Sequence, residues 1–242
     1  MRLQYLLLIF LLAACSSKRV DEPASVNSKA SLNHGVIHGR FEDIKRGIVL
    51  VNGLKIPSMQ DYIDTVSISD YTFTYIPPKE TDVLIRLIPE SAITPRKNWP
   101  RAKRLNLFYQ PGDRLTLKVV KQGNALVYNI EGNSFGKAYN KLRNNQLTAL
   151  ASVDSLTALT YQLKDNRKVG QVYQQRDSLI QSLSNAEMAF IRNNPGHPLS
   201  VYLLWIQPPP VVNETINQLA ENVPASLMKL VERKVNRYQQ IR

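Results

Sequence analysis

A cluster of cations around one tryptophan is the feature of this sequence whose residue types most suggest binding chemistry. It spans Arg96–Arg104, and no acidic residue occurs between Ser91 and Gly112. A basic loop with an aromatic ring can contact an anionic lipid surface, an acidic glycan or an acidic protein. The alternative is an exposed loop whose charges are only solvated and whose tryptophan packs under the fold. The candidate contact residues are Arg96, Lys97, Trp99, Arg101, Lys103 and Arg104.

The three histidines do not have the spacing of a metal site. His34 and His38 are four residues apart in a segment that is predicted to be extended, which separates them by about 13 Å. Two ligands at that distance cannot share one ion, and no compact group of His, Asp and Glu is visible in the sequence. His197 lies in a Pro-Gly-His-Pro corner that is typical of a turn. We therefore expect no metal and no cofactor.

Motifs for nucleophilic and phosphate chemistry are also absent from the sequence. Neither Gly-x-Ser-x-Gly nor a glycine-rich phosphate loop occurs. Glycoside hydrolysis needs two carboxylates about 5–9.5 Å apart, and the sequence offers only generic acidic pairs, such as Asp61 with Asp64 and Glu80 with Asp82. The sequence therefore predicts a protein that is not an enzyme, and a carbohydrate-active protein stays open as an alternative.

The only cysteine, Cys15, follows an apolar run and two small residues near the start of the chain. Arg2 supplies a positive charge before Leu6–Leu12, which is the pattern of a secretory signal peptide. Leu12-Ala13-Ala14-Cys15 resembles the lipobox of bacterial lipoproteins, which implies that residues 1–14 are removed and that Cys15 carries lipid such as palmitate. A lipidated cysteine leaves no thiol for disulfide or Cys-x-x-Cys chemistry. The alternative is an ordinary signal peptide that is cleaved elsewhere.

The composition indicates a packed globular protein with a strong positive charge. Hydrophobic residues make up 43% and charged residues 21% of the 242 residues, and the formal net charge is +12. This charge favours anionic partners. A lipid anchor would place the protein in the cell envelope, on the periplasmic or the outer side of the outer membrane. Nucleic acid is not an expected partner there.

The first half of the predicted mature chain has the pattern of a β-rich domain behind a flexible tether. Residues 15–32 are rich in Ser, Ala, Asn and charge, with no apolar periodicity. From residue 33 short alternating runs are separated by Gly, Pro, Asn and Asp, as in Tyr71–Ile76 and Val83–Ile88. Runs of this length at regular spacing are typical of an antiparallel sandwich or barrel, and we expect a β-sandwich over residues 33–132.

The second half has the period of helices. Apolar positions recur every three or four residues over residues 135–163 and 172–190, which predicts two long helices in an αα-hairpin. Asn213 is predicted to cap a helix over Glu214–Glu221. The other predicted helices are a short buried one at Leu199–Ile206 and a last one that begins near Pro224.

The order of several motifs resembles a domain of unknown function at the N-terminus of thioredoxin-like thiol–disulfide lipoproteins (TlpA/ResA type) of Bacteroidetes-type bacteria. The motifs are Gly39-Arg40-Phe41, Asp64-Thr65-Val66-Ser67-Ile68 with Tyr71-Thr72-Phe73, Gln110-Pro111-Gly112-Asp113, Ile130-Glu131-Gly132-Asn133-Ser134 and Phe190-Ile191-Arg192-Asn193-Asn194-Pro195. The resemblance covers about residues 33–242, and Asp70 stands where the family's hairpin usually has glycine. It implies an envelope lipoprotein module without established chemistry. The thioredoxin-like domain that usually follows is absent here, so the redox activity is not implied.

These patterns predict an α+β protein with four segments. They are a signal peptide over residues 1–14, a tether over 15–32, a β-sandwich domain over 33–132 and a helical region over 133–242. The predicted function is that of a non-enzymatic interaction or accessory module, which is lipid-anchored through Cys15 and contacts a protein or an anionic glycan. Two alternatives stay open: an accessory to thiol–disulfide redox proteins, and a carbohydrate-binding or carbohydrate-active protein.

Overall fold

Eight strands followed by five helices make up the described chain, which covers residues 35–93, 100–219 and 223–241 in a computed structural model. This arrangement confirms the predicted α+β class. The predicted signal peptide, Cys15 and tether lie outside the described residues. The strands are β1 (Val36–Phe41), β2 (Arg46–Ile56), β3 (Gln60–Ser69), β4 (Thr72–Tyr75), β5 (Asp82–Pro89), β6 (Leu105–Tyr109), β7 (Arg114–Gln122) and β8 (Ala125–Glu131). The helices are α1 (Ser134–Thr160), α2 (Asn166–Asn193), α3 (Pro198–Ile206), α4 (Pro209–Thr215) and α5 (Ala225–Ile241).

The strands form one sheet in the order β6-β5-β2-β3-β4-β1-β7-β8, which curls into a nearly closed barrel. Six of the seven neighbouring pairs are antiparallel, and β1 pairs with β7 in parallel. The parallel pair departs from the wholly antiparallel arrangement that the sequence predicts. A parallel pair needs a long crossover connection, and here β2 to β6 lie between its two strands in the chain.

The two faces of the sheet have different neighbours because side chains alternate along each strand. Val51 of β2 and Ile85 of β5 belong to the inner core, which the curled sheet builds with its own strands. Leu84 of β5 and Phe108 of β6 point to the opposite face and belong to a second core, which they form with residues of the helices. The rings of Phe108 and Phe135 are 5.9 Å apart in this second core. The helices therefore cover the outer face of the sheet at β2, β5 and β6.

Side-chain caps begin the two long helices. The Asn133 side chain accepts a hydrogen bond from the Gly136 backbone N–H before α1, and Asp165 accepts one from the Arg167 N–H before α2. The predicted periodic segments, residues 135–163 and 172–190, overlap α1 and α2, and α2 begins six residues earlier than its segment. In the part of the chain that the structure describes, no helix is both long and apolar enough to cross a membrane.

The segment between α3 and α5 differs from its prediction. The predicted helix capped by Asn213 is wrong, because α4 begins at Pro209 and Asn213 lies inside it. A short 3₁₀ turn follows at Ile216–Gln218. Proline is tolerated in the first turn of a helix, since its missing N–H has no partner to lose there. Pro208-Pro209-Pro210 therefore leads into a helix, although consecutive prolines inside a helix would interrupt it.

Candidate functional site

The basic segment lies only partly within the described residues. Arg101, Lys103 and Arg104 form the turn that leads into β6. Arg101 is exposed, whereas Lys103 and Arg104 are half-buried. The turn therefore presents one solvated cation and two that lie against the fold. The other predicted contact residues lie outside the described residues, namely Arg96, Lys97 and Trp99.

A carboxylate on α1 holds this turn. Oδ1 of Asp154 accepts a hydrogen bond from the Arg101 backbone N–H at 2.8 Å, and Oδ2 accepts one from the Ala102 N–H at 2.8 Å. Burial raises the pKa of the Asp154 carboxyl, and the hydrogen bonds from the two N–H groups partly offset this rise. Because one carboxylate receives two consecutive N–H groups, the backbone from which the Arg101 side chain projects is fixed against α1.

Arg143 of α1 fixes the same turn from within the fold. Its guanidinium donates to the carbonyls of Ala102 and Leu126, both at 2.7 Å. It also lies 5.0 Å from the ring centroid of Tyr128, whose hydroxyl donates to the Lys103 carbonyl at 2.6 Å. Arg143 is 2% exposed, and burial lowers its pKa. This buried cation joins α1, β8 and the basic turn through two carbonyls and a ring.

A cleft of about 700 Å³ opens between the sheet and α3. Residues directly opposite one another on neighbouring strands point to the same face of a sheet. Tyr202 and Trp205 of α3 line the cleft on the side opposite the sheet. The floor of the cleft is one such row across four strands, formed by Ile63 of β3, Asn52 of β2, Arg86 of β5 and Asn106 of β6.

Arg86 is the central charge of the cleft. Its Nε donates to Oδ1 of Asn106 at 3.2 Å, and Nδ2 of Asn106 donates to the Tyr139 hydroxyl at 2.9 Å. This chain of bonds orients the guanidinium and leaves both of its Nη atoms without a hydrogen-bond partner among the described residues. Burial lowers the pKa of Arg86, but a guanidinium keeps its charge at neutral pH. The cleft therefore contains a half-buried cation with two unused donor atoms.

The electrostatics of the cleft are positive on balance. Arg104 is close enough to Arg86 to lower its pKa further, and this effect exceeds the opposing one of Asp61. Within residues 35–93, 100–219 and 223–241, neither arginine is in an ion pair. Asp61 is the one carboxylate among the described residues that line the cleft. An anion in the cleft would thus meet the charge of Arg86, with the charge of Arg104 nearby.

The polar groups that line the cleft are an arginine, two amides, two tyrosine hydroxyls, the Trp205 indole and one carboxylate. Burial raises the pKa of the Tyr202 hydroxyl, which therefore stays protonated at neutral pH. With the Arg86 guanidinium and the amides of Asn52 and Asn106, the cleft presents mostly hydrogen-bond donors and neutral acceptors. The described lining contains no pair of carboxylates of the kind that glycoside hydrolysis uses.

The histidines have local structural contacts. His34 lies outside the described residues, and Nδ1 of the exposed His38 is 3.0 Å from Oγ1 of Thr74. His197 caps α3, where its Nδ1 accepts a hydrogen bond from the Leu199 N–H at 3.0 Å. Burial lowers the pKa of His197. Among the residues that the structure describes, no three His, Cys, Asp or Glu side chains are grouped as metal ligands.

The cleft was not predicted from the sequence, although the sequence carries a signal for it. Asn106 is the one polar residue before Tyr109 in β6, Arg86 interrupts the apolar run Val83–Ile88 of β5, and Asn52 follows the apolar run Ile48–Val51 of β2. A polar residue in an apolar strand has to find a partner or solvent. Each interruption could have been noticed alone, but their alignment depends on strand order and register, which are not local properties of the chain.

No protein-family model matches the chain, and no curated protein matches it.

Proposed function

We propose that this protein is a non-enzymatic interaction module of the bacterial cell envelope and that it binds an anionic partner in the Arg86 cleft. The observation that carries the proposal is the half-buried Arg86, whose Nη atoms have no partner among the described residues. Taking a cation out of water without a counter-charge costs free energy, and an anionic ligand would offset that cost. Arg104, whose charge acts on Arg86, adds positive charge near the cleft, which favours the approach of an anion.

The anchor is a separate part of this proposal. Lipid on Cys15, exposed by removal of residues 1–14, would hold the module at the outer membrane, and residues 15–32 would act as its tether. Metabolic labelling with an alkyne analogue of palmitate tests it. We expect label on the wild-type protein and none on the Cys15→Ser variant. An unlabelled wild-type protein would show that the module is held in the envelope by other means or not at all.

Crosslinking in intact cells tests the interaction. We compare the wild-type protein with Arg86→Gln/Arg104→Gln and with Arg46→Gln, an exposed arginine at the start of β2, about 20 Å along that strand from Asn52. An anionic partner should be captured by the wild type and by Arg46→Gln and lost from the double variant. Equal capture by all three proteins would overturn the cleft as the contact.

The identity of the captured partner separates the alternatives. An acidic glycan or an acidic protein fits the proposal as stated. A partner with a Cys-x-x-Cys motif would indicate an accessory role beside thiol–disulfide redox proteins. Release of cleaved glycan by the purified protein would contradict the non-enzymatic part of the proposal.

We also propose the finer architecture that the sequence predicts. Support for a sandwich-like arrangement comes from the inner core, where residues from both ends of the curled sheet, such as Leu107 and Tyr128, belong to one cluster. Support for an αα-hairpin comes from the short link between α1 and α2 and from the contact of Gln146 Nε2 with the Leu183 carbonyl at 3.4 Å.

A further inference from the structure

We propose that the ligand of the Arg86 cleft is a saccharide that carries a carboxylate, with one uronate unit seated on the row formed by Asn52, Arg86 and Asn106. This inference rests on the proposed function, which requires only an anionic partner, and adds the chemical class of that partner. Three features of the cleft support it: the geometry of the unused donors, the neutral hydrogen-bonding groups around them and the aromatic side chains of α3.

The unused donors of Arg86 match a planar carboxylate. Because Nε is occupied by Asn106, the free edge of the guanidinium is the one that carries the two Nη atoms. Two parallel N–H···O bonds from such an edge fit the two oxygens of one carboxylate. The Asn106–Tyr139 hydrogen bond holds that edge in place before the ligand arrives, which reduces the ordering that binding requires.

The groups beside Arg86 suit hydroxyl groups. Asn52 lies directly opposite Arg86 on β2, and its side chain has no hydrogen-bond partner among the described residues. Its amide offers both a donor and an acceptor, and the exposed Asp61 at the rim offers acceptors. Vicinal sugar hydroxyls need mixed donors and acceptors of this kind. Asp61 would also repel ligands of high negative charge density, such as polyphosphates.

The aromatic side chains of α3 suit the face of a sugar ring. Trp205 is half-buried and lines the cleft, with its ring centroid 6.2 Å from that of Tyr202. Ile63 is 78% exposed at one end of the floor row. A pyranose has polar edges and apolar C–H faces, so its faces can cover Trp205 and Ile63 while its edges meet Asn52 and Arg86.

A peptide fits the same cleft less well. Peptides recognised in extended form pair their backbone with the free edge of a sheet. The two central residues of the floor, Asn52 and Arg86, lie on β2 and β5, and the backbone groups of these two strands pair with a neighbouring strand on each side. A bound peptide would therefore leave backbone N–H and C=O groups unpaired or dependent on water, which lowers its affinity.

Isothermal titration calorimetry with the purified chain tests the ligand class. The probes are a galacturonate trisaccharide, the same trisaccharide after reduction of its carboxylates to alcohols, and a glutamate-rich peptide of equal charge. The protein variants are Arg86→Gln, Trp205→Ala and the control Arg46→Gln, and circular dichroism checks that each one is folded. Gln keeps an amide donor near Asn106, so Arg86→Gln removes mainly the charge and the Nη pair.

We expect the galacturonate to bind and the reduced sugar to bind at least about tenfold more weakly. Arg86→Gln should weaken galacturonate binding about 10- to 100-fold, because it loses charge-assisted hydrogen bonds, and Arg46→Gln should have no effect. Binding of the acidic peptide alone, with the same dependence on Arg86, would overturn the saccharide assignment and leave the proposed function standing. Binding of neither anion, together with no Arg86-dependent partner in cells, would overturn both.

Discussion

Arg86 and Asn106 lie directly opposite each other on β5 and β6, and Nε of Arg86 donates to Oδ1 of Asn106 at 3.2 Å. The bond orients a cation without neutralising it, because the amide is uncharged. A carboxylate in place of Asn106 would occupy the guanidinium permanently. The neutral partner therefore keeps the charge of Arg86 available to a ligand.

Asn106→Asp should weaken anion binding without unfolding the protein. The new carboxylate can accept from Arg86 and from the Tyr139 hydroxyl, so the local hydrogen bonds persist while the charge of Arg86 is neutralised. We expect affinity for an anionic ligand to fall at least about tenfold and the free energy of unfolding to change by about 1 kcal/mol or less. Calorimetry and urea denaturation measure the two quantities. The control Asn129→Asp adds the same charge on the exposed side of β8. Equal affinity in Asn106→Asp and Asn129→Asp would contradict this account of Arg86.

Arg143→Met should lower stability strongly. The change leaves the carbonyls of Ala102 and Leu126 without their guanidinium donors in a buried position. We expect the free energy of unfolding to fall by about 3–5 kcal/mol. Lys141→Met, on the exposed side of α1, should change it by less than about 0.5 kcal/mol. Urea denaturation measures both variants, and a loss for Arg143→Met no larger than that for Lys141→Met would show that these hydrogen bonds do not hold the turn.

His197 should make stability depend on pH on the acidic side of neutrality. Burial lowers the pKa of the folded His197 below its usual value near 6.5, and its neutral Nδ1 accepts the capping bond from Leu199. The unfolded chain therefore binds the proton more readily. The stabilising contribution is present above about pH 6.5 and is lost as the pH falls through the lowered folded-state pKa.

Urea denaturation between about pH 7.5 and pH 5.5 measures this effect. The wild-type protein should lose more stability over this range than His197→Asn, since Asn can cap α3 and does not titrate. His38→Asn, on the exposed side of β1, controls for the loss of an imidazole. A His197→Asn variant with the pH dependence of the wild type would exclude the cap as its origin.

The turn between β3 and β4 should be stabilised by glycine. Ser69 pairs with Thr72, so the two loop residues are Asp70 and Tyr71, and both have positive φ, at 48° and 66°. A left-handed conformation costs a residue with a side chain about 1–2 kcal/mol. Tyr71→Gly and Tyr71→Ala both remove the ring, but only glycine adopts this conformation without strain.

Thermal and urea denaturation of the two Tyr71 variants measure that strain. The glycine variant should be more stable than the alanine variant by about 1 kcal/mol. Equal stabilities would mean that this turn relaxes once the ring is removed.

The order and type of most elements were accessible from the sequence, because strand and helix periods are local. The short apolar run Val83–Ile88 and the three-to-four-residue period after Phe135 both predicted the element that is present. Local reasoning was wrong at Asn213, which lies inside α4 because the helix already begins at Pro209. It also assigned Tyr71 to a strand, although the hairpin register places this residue in the turn.

Strand partners and the cleft were decided only by the tertiary structure. Nothing local to β1 or β7 indicates that they pair in parallel, since that depends on where the intervening strands lie. The sequence by itself determined the positive charge of the chain and the polar residues that interrupt or follow its apolar runs. Which of those residues share a floor was settled by register, because a shift of one residue moves a side chain to the opposite face of the sheet. Asn52, Arg86 and Asn106 became one site because three strands, from positions 46 to 109, align them on the face that α3 covers.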